Sequence, residues 1–122
     1  MTNPVGWFEI YVEDMERAKA FYESMLGIQL SRLDSPGMDM MAFPMERDKS
    51  GASGALVKMP GFPSGANSVL VYFVCEDCAN EASKAVASGG RIQKPKTPIG
   101  EYGFIALVVD TEGNMVGLHS MK

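Results

Sequence analysis

The chain has 122 residues, of which 46% are hydrophobic and 21% are charged, with a net charge of −4. This length fits one domain of an ordinary globular protein, and the negative charge without a basic stripe excludes a typical nucleic-acid-binding surface. Because no apolar run approaches the roughly 20 residues that cross a bilayer and no signal-peptide pattern is present, we expect a cytoplasmic protein without membrane partners.

The first half of the chain predicts one strand, one helix and three further strands. Residues 5–12 alternate in the way that is typical of a half-buried strand. Asp14 is a typical helix N-cap and Gly27 a typical helix stop. The expected inward helix positions are Met15, Ala18, Phe21, Tyr22 and Met25. Strands are expected at about 28–33, 38–43 and 52–59.

The second half repeats this order after a linker. Residues 60–67 are rich in proline and glycine and separate the two halves. A strand is then expected at about 68–75 and a helix at about 78–88. Further strands are expected at about 91–94, 104–109 and 115–119, the last two joined by a tight turn at 110–114.

The two halves are related by a fixed spacing, which we call the repeat offset. The number of residues from Asp14 to Asp77 equals the number from Gly27 to Gly90. One helix covers only one face of a sheet, so the other face must be buried by the second half, a partner chain or a ligand. We therefore predict an α+β fold of two tandem β-α-β-β-β modules that form a curved mixed sheet around a cleft. Module one spans about 5–59 and module two about 68–122, within one domain over 1–122.

Local sequence marks indicate a family. Val12-Glu13-Asp14 runs into Ala20-Phe21-Tyr22 and then Leu26-Gly27, and Val109-Asp110-Thr111-Glu112-Gly113-Asn114 lies near the end. In this order, with the internal repeat, the chain resembles the vicinal oxygen chelate superfamily, which includes glyoxalase I, extradiol dioxygenases and bleomycin and fosfomycin resistance proteins. The resemblance covers the whole chain and implies a glyoxalase-like domain.

The resemblance also implies where metal ligands would fall. Members that use a metal draw His or Glu ligands from the first and last strands of each module, which places the positions at Trp7, Gly54, Leu70 and Gly117. None of these side chains carries a suitable donor. We therefore expect no metal and no other cofactor, and the glycines are expected to leave open space where relatives place a ligand.

Two neighbouring residues are the candidate catalytic groups. Glu9 and His119 each lie two residues beyond an implied ligand position, on the same strand face. His119 is the only histidine, so a site with two imidazoles would have to form across a dimer. If Glu9 and His119 pair, each favours the charged form of the other. A tyrosine hydroxyl is the next candidate partner for Glu9.

The candidate ligand-binding residues are those that strand alternation places on the inward face: Trp7, Glu9, Tyr11, Tyr72 and His119. Phe8, Ile10, Val71 and Phe73 are expected to face the helices. Aromatic walls with a few polar groups suit a small organic molecule. The predicted function is therefore metal-free binding of such a molecule in the cleft between the modules. The alternative is a metal-dependent lyase, isomerase or dioxygenase whose site forms across a dimer.

Two further features are open at the level of sequence. We expect a twofold homodimer, because one helix per module leaves sheet surface to cover and twofold dimers are the commonest oligomers. Cys75 and Cys78 form a C-x-x-C spacing that suits either a redox pair at a helix N-terminus or ordinary packing. Packing is the simpler interpretation, since the same pattern in module one works without thiols.

Overall fold

The structure is a computed structural model that describes residues 3–49, 51–65, 69–111 and 114–122, apart from the Met25 side chain. Each half follows the order predicted from the sequence. The strands are β1 (Val5–Tyr11), β2 (Ser31–Leu33), β3 (Asp39–Ala42), β4 (Ser53–Lys58), β5 (Val69–Val74), β6 (Arg91–Pro98), β7 (Phe104–Val109) and β8 (Met115–Ser120). The helices are α1 (Met15–Leu26) and α2 (Cys78–Ala87). The predicted α+β class with two β-α-β-β-β modules is therefore confirmed.

Contacts between backbone positions divide the chain into two compact units. One unit is Trp7–Val69, and the other is Leu70–Lys122 together with the residues up to Gly6. In the first unit the strand order is β2-β3-β4-β1, with β1 and β4 parallel and the other pairs antiparallel. In the second unit the order is β5-β8-β7-β6, with β5 and β8 parallel and the other pairs antiparallel. The sequence repeat is thus a repeat of sheet topology.

Helix α1 begins and ends where the sequence predicts. The Asp14 side chain accepts a hydrogen bond from the Arg17 backbone N–H at 3.1 Å, which satisfies one donor of the first turn. Gly27 ends the helix in the left-handed region, with φ of 66°, where a side chain would be disfavoured. The core against α1 contains Val12, Met15, Leu30, Met41, Phe43 and Leu56.

One predicted core position of α1 is wrong. Phe21 is 57% exposed, although its ring contacts the edge of Tyr22 at a centroid distance of 5.1 Å. Met15, Ala18 and Tyr22 do pack toward the core. With 3.6 residues per turn, Phe21 lies at the margin of the stripe that these three define, so it turns toward solvent.

Helix α2 covers the second unit in the same manner. Asp77 accepts a hydrogen bond from the Ala79 backbone N–H at 3.1 Å and forms an ion pair with the Lys96 ammonium at 2.9 Å. The buried core residues here are Cys78, Ala82, Ala106, Val108 and Leu118. The Cys78 backbone N–H also donates a hydrogen bond to the Ser120 hydroxyl at 3.0 Å.

The strand bounds differ from the sequence prediction at a few ends. β2 is shorter than the expected 28–33, whereas β6 extends further, to Pro98, and a short 3₁₀ turn follows at Gly100–Tyr102. In the predicted turn at 110–114, Asp110 accepts a hydrogen bond from the Asn114 N–H at 2.9 Å; residues 112 and 113 lie outside the described part. The last two linker positions, 66 and 67, do so as well. Neither described helix is long and apolar enough to cross a bilayer.

Candidate ligand-binding face of the first unit

Strand β1 presents two chemically different faces. Phe8 and Ile10 pack on the core beneath α1, as the alternation predicts. Trp7, Glu9 and Tyr11 lie on the opposite face of the strand, away from α1. We call this surface the Glu9 face, and we include the residues of β4 that share it in the parallel register, Ser53, Ala55 and Val57.

A carboxylate lies at the centre of the Glu9 face. Glu9 is only 8% exposed. The Tyr11 hydroxyl donates a hydrogen bond to its Oε1 at 2.9 Å, and the Trp7 indole N–H donates to its Oε2 at 3.2 Å. Both donors come from the same strand, two residues away on either side, because alternate residues of a strand share a face. Strand β1 therefore supplies both the buried acid and the two hydrogen-bond donors that contact it.

Burial dominates the acidity of this group. Removal from water raises the pKa of Glu9 above its ordinary value of 4.5, and the hydrogen bonds from Tyr11 and Trp7 offset part of that increase. An ion pair with His119 would favour the charged form of Glu9, so the raised pKa is the opposite of what that predicted pair implies. The tyrosine hydroxyl, the second candidate partner from the sequence, does contact Glu9, together with the Trp7 indole.

An aromatic residue that the sequence analysis missed extends the Glu9 face. Phe62 stacks on Tyr11 with a centroid distance of 5.2 Å and an interplanar angle of 24°. Its backbone N–H donates to the Met59 carbonyl at 3.2 Å, which holds the residue in a turn after β4. The available signal was a lone aromatic residue in a linker otherwise composed of turn formers, at Pro60-Gly61-Phe62-Pro63.

The predicted role of the two glycines is wrong. The space that a Cβ at Gly54 would need is filled by the Phe8 carbonyl and ring, and at Gly117 it is filled by the Tyr72 ring. Each aromatic residue is the register partner of its glycine. The glycines therefore allow aromatic rings to pack directly on the neighbouring strand and leave no open space.

The strand register also corrects the spacing of the repeat. Tyr72 follows Glu9 by the repeat offset, and the register pairs Glu9 with Ala55 and Tyr72 with Gly117. The sequence distance from Ala55 to Gly117, however, is one residue shorter than the repeat offset. The second module is therefore one residue shorter than the first before its last strand. Gly54 consequently lies on the α1 side with Phe8, and the equivalent of His119 is Val57 instead of Leu56.

Tyr72 and His119 belong to the second unit and lie on the strand faces away from α2. Tyr72 is buried at 7% exposure with its ring over Gly117. The Nε2 of His119 lies 2.6 Å from the Tyr102 carbonyl oxygen. Because a carbonyl oxygen only accepts, Nε2 carries the proton in this contact. Of the predicted set, Trp7, Glu9 and Tyr11 therefore form one directly hydrogen-bonded cluster.

The described residues of the Glu9 face do not by themselves fit a catalytic metal ion. Catalytic zinc takes three protein ligands and iron(II) oxygenases take two His and a carboxylate. Glu9 is the one metal-binding side chain among the residues that define the Glu9 face, which is fewer ligands than either kind of site requires. Among residues 3–49, 51–65, 69–111 and 114–122, no three His, Cys, Asp or Glu side chains gather to form a metal site.

The C-x-x-C pair has the environment of packed thiols. Burial, followed by the negative charge of Glu81, raises the pKa of Cys75 from 9.0 to about 11. Cys78 is fully buried in the core beneath α2. A redox-active pair needs an accessible thiol with a lowered pKa. The pKa of Cys75 is raised instead of lowered.

Comparison with known proteins places the chain in a family. A model of the Glyoxalase/Bleomycin resistance protein/Dioxygenase superfamily matches residues 5–118. The proteins named "Putative glyoxylase CFP32" of Mycobacterium bovis and Mycobacterium tuberculosis are each 29% identical to the chain over 115 residues. That alignment covers 93% of this chain and 44% of each relative, so the chain spans less than half the length of these curated relatives.

Solved structures share the fold at low sequence identity. Methylmalonyl-CoA epimerase from Mycobacterium tuberculosis matches with a TM-score of 0.70 and 15% identity, over 98% of this chain and 88% of its own. The epimerase from Streptomyces coelicolor, in complex with 2-nitronate-propionyl-CoA, matches with 0.69 and 13%, over 98% of both chains. A chain described as NAD-dependent benzaldehyde dehydrogenase from Legionella pneumophila matches with 0.62 and 19%, over 95% of this chain and 98% of its own. These similarities establish the fold alone.

Proposed function

The chain belongs to the Glyoxalase/Bleomycin resistance protein/Dioxygenase superfamily, and from that premise we propose that it binds a small organic molecule at the Glu9 face without a metal ion. One observation carries the proposal. Glu9 is a buried carboxyl group that is framed by an indole and a phenol on a face that no helix of its own unit covers. Buried acids are rare because their desolvation is costly, so a fold retains one mainly where it serves a purpose.

The composition of the Glu9 face favours an organic ligand over an ion. Trp7 and Phe62 are both half-buried, and Ala55 and Val57 on β4 are fully buried apolar residues. Aromatic walls with one oriented polar group are typical of small-molecule sites. The carboxyl group would fix the orientation of the ligand, and the rings would supply apolar contact area.

Elemental analysis combined with fluorescence tests the proposal. Trp7 is the only tryptophan, so its emission reports directly on the Glu9 face. Protein purified without chelator is first measured for zinc, nickel, manganese and iron. It is then titrated with three small aromatic molecules of similar shape, namely benzylamine, benzyl alcohol and benzoate. We expect substoichiometric metal and saturable quenching or shift of Trp7 emission by at least one probe.

Two controls keep the result interpretable. Treatment with EDTA should leave the titration unchanged, and Tyr11→Leu should weaken it because the stack with Phe62 and the hydrogen bond to Glu9 are both lost. Metal at about one per chain, with binding that disappears on chelation, would instead support the metal-dependent enzyme. If none of the three probes changes Trp7 emission or the melting temperature, the proposal is wrong.

A further inference from the structure

The partners of Glu9 show what the Glu9 face lacks. Among the described residues, the two groups that donate hydrogen bonds to the carboxylate, the Trp7 indole and the Tyr11 hydroxyl, are both neutral. Within the described part of Trp7–Val69, no Lys, Arg or His side chain forms an ion pair with Glu9. A buried carboxylate without a counter-charge is strongly disfavoured. In its ionised form, Glu9 therefore presents a negative charge that the first unit itself does not compensate.

The hydrogen bonds leave Glu9 with acceptor capacity. A carboxylate offers about four lone-pair positions, two on each oxygen. Tyr11 uses one position on Oε1, and Trp7 uses one position on Oε2. Each oxygen thus retains a position for a further N–H or O–H donor. A ligand that brings a donor and a positive charge would satisfy both the acceptor capacity and the missing counter-charge.

The surrounding rings favour the same kind of ligand. Trp7 and Tyr11 contact the carboxylate through their polar edges, and Phe62 stacks on Tyr11. The faces of aromatic rings carry negative potential and attract cations, most strongly for tryptophan. The neighbouring β4 positions on this face, Ala55 and Val57, carry no charge that would repel a cation. An anion, by contrast, would meet Glu9 in a protein with a net charge of −4.

We infer that the ligand of the Glu9 face is a small organic ammonium ion, with the charged nitrogen against Glu9 and a flat apolar group against Trp7, Tyr11 and Phe62. This inference rests on the proposed function and adds the charge class of the ligand. A neutral ligand would leave the ionised form of Glu9 without a counter-charge. An organic ammonium would give the desolvated Glu9 carboxylate an ion pair and an N–H donor, and it would also make cation–π contacts with the rings.

The test compares the affinities of the three probes at neutral pH. Benzylamine, benzyl alcohol and benzoate have nearly the same size and differ in charge, being positive, neutral and negative. Trp7 emission and isothermal calorimetry give the dissociation constants. We expect benzylamine to bind at least about tenfold more tightly than benzyl alcohol, and benzoate to bind most weakly.

A matched pair of variants assigns the preference to Glu9. Glu9→Gln keeps the shape of the side chain and removes its charge, so the advantage of benzylamine over benzyl alcohol should disappear. Glu13→Gln removes the same charge from an exposed position just after β1 and should retain the advantage. Circular dichroism verifies that both variants are folded.

The outcomes separate the two proposals. Equal binding of benzylamine and benzyl alcohol by the unmodified protein would overturn the inference and leave the proposed function standing. Retention of the benzylamine preference in Glu9→Gln would do the same. Preferential binding of benzoate would contradict the inference directly. Failure of all three probes to bind would remove the proposed function and, with it, the inference.

Discussion

The two modules carry different chemistry at the same structural position. Glu9 on β1 and Tyr72 on β5 are equivalent residues of the repeat, and they are almost equally buried, at 8% and 7% exposure. Glu9 turns toward hydrogen-bond donors on its own strand and pairs with Ala55 across the sheet. Tyr72 instead lies over Gly117, its partner on the neighbouring strand. The two modules thus share the buried position on the first strand but differ in the contacts that its side chain makes.

The strand faces that the helices cover are much more alike in the two units. Both helices begin at an aspartate N-cap, and both cores place a leucine of the last strand beneath the helix, Leu56 in one and Leu118 in the other. Helix packing needs apolar side chains of defined volume, so few solutions fit. The face away from the helix has no such requirement. The difference between the modules therefore concentrates where function can vary.

The largest expected effect comes from Gly117→Ala. A Cβ at this position collides with the Tyr72 ring, and overpacking of this type costs about 1–3 kcal/mol. The free energy of unfolding, measured with urea, should fall by that amount. Ala55→Gly, the reciprocal change in module one, creates no collision and should cost about 0.5–1 kcal/mol through backbone entropy. If the ring is the cause, Gly117→Ala should cost less in the Tyr72→Leu background than in the unmodified protein.

The second prediction concerns the pH dependence that Glu9 confers. Burial raises the pKa of Glu9, so the folded protein holds this proton more strongly than the unfolded chain. The corresponding stability is fully present below the ordinary pKa of 4.5 and is lost as the pH rises through the folded pKa. Glu9→Gln mimics the protonated acid, with its amide oxygen toward Trp7 and its NH₂ toward the Tyr11 oxygen. The variant should match the unmodified protein at low pH and exceed it at neutral pH.

Urea unfolding at several pH values measures this difference. Glu13→Gln is the control, because that exposed carboxylate has no burial to relieve. A stability gap between the unmodified protein and Glu9→Gln that is independent of pH would show that Glu9 is not a destabilised anion. The same result would weaken the reason for expecting a cationic ligand.

The sequence predicted the frame of the fold well. Asp14, Asp77 and Gly27 are local signals for helix ends, and strand alternation placed Glu9 away from α1 as expected. Local rules of this type depend on neighbouring residues, which the sequence displays directly. The repeat offset, however, assigned the equivalents of β4 residues wrongly by one position. A single deletion within a repeat cannot be seen until the strand register is known.

The contents of the candidate site were harder to predict. The hydrogen-bond partners of Glu9 are a tryptophan and a tyrosine on its own strand, and the stack of Phe62 on Tyr11 depends on the path of the linker. Contacts of these kinds depend on side-chain rotamers and loop geometry, which have no periodic signal in sequence. The same holds for Gly54 and Gly117. The sequence shows that they have no side chain, but it does not show which aromatic ring fills the space beside them.

A third prediction compares the two helix caps. Asp14 accepts one backbone hydrogen bond, whereas Asp77 accepts a backbone hydrogen bond and forms the Lys96 ion pair. Asp14→Ala should lower the free energy of unfolding by about 1 kcal/mol. Asp77→Ala should cost more than Asp14→Ala, and the excess should shrink at high salt, where the ion pair is screened. Equal losses at all salt concentrations would show that Lys96 adds nothing to the second cap.

The smallest effect on stability is expected at Cys75. This residue follows Val12 by the repeat offset, and the equivalent position in module one works with a plain apolar side chain. Cys75→Val should therefore change the free energy of unfolding by less than about 1 kcal/mol. The thiol should also react slowly, because its pKa of about 11 leaves roughly a hundredfold less thiolate than a pKa of 9.0 at any pH below both values.

Mass spectrometry of iodoacetamide-treated protein measures the reactivity of Cys75. At about pH 8, we expect its labelling to be on the order of a hundredfold slower than that of an unfolded control. Glu81→Gln should accelerate labelling, since the negative charge of Glu81 is the second cause of the raised pKa after burial. Rapid labelling of Cys75, or a disulfide between Cys75 and Cys78 under mild oxidation, would restore the redox interpretation. Slow labelling with unchanged stability in Cys75→Val would instead show that both modules use this position only for packing.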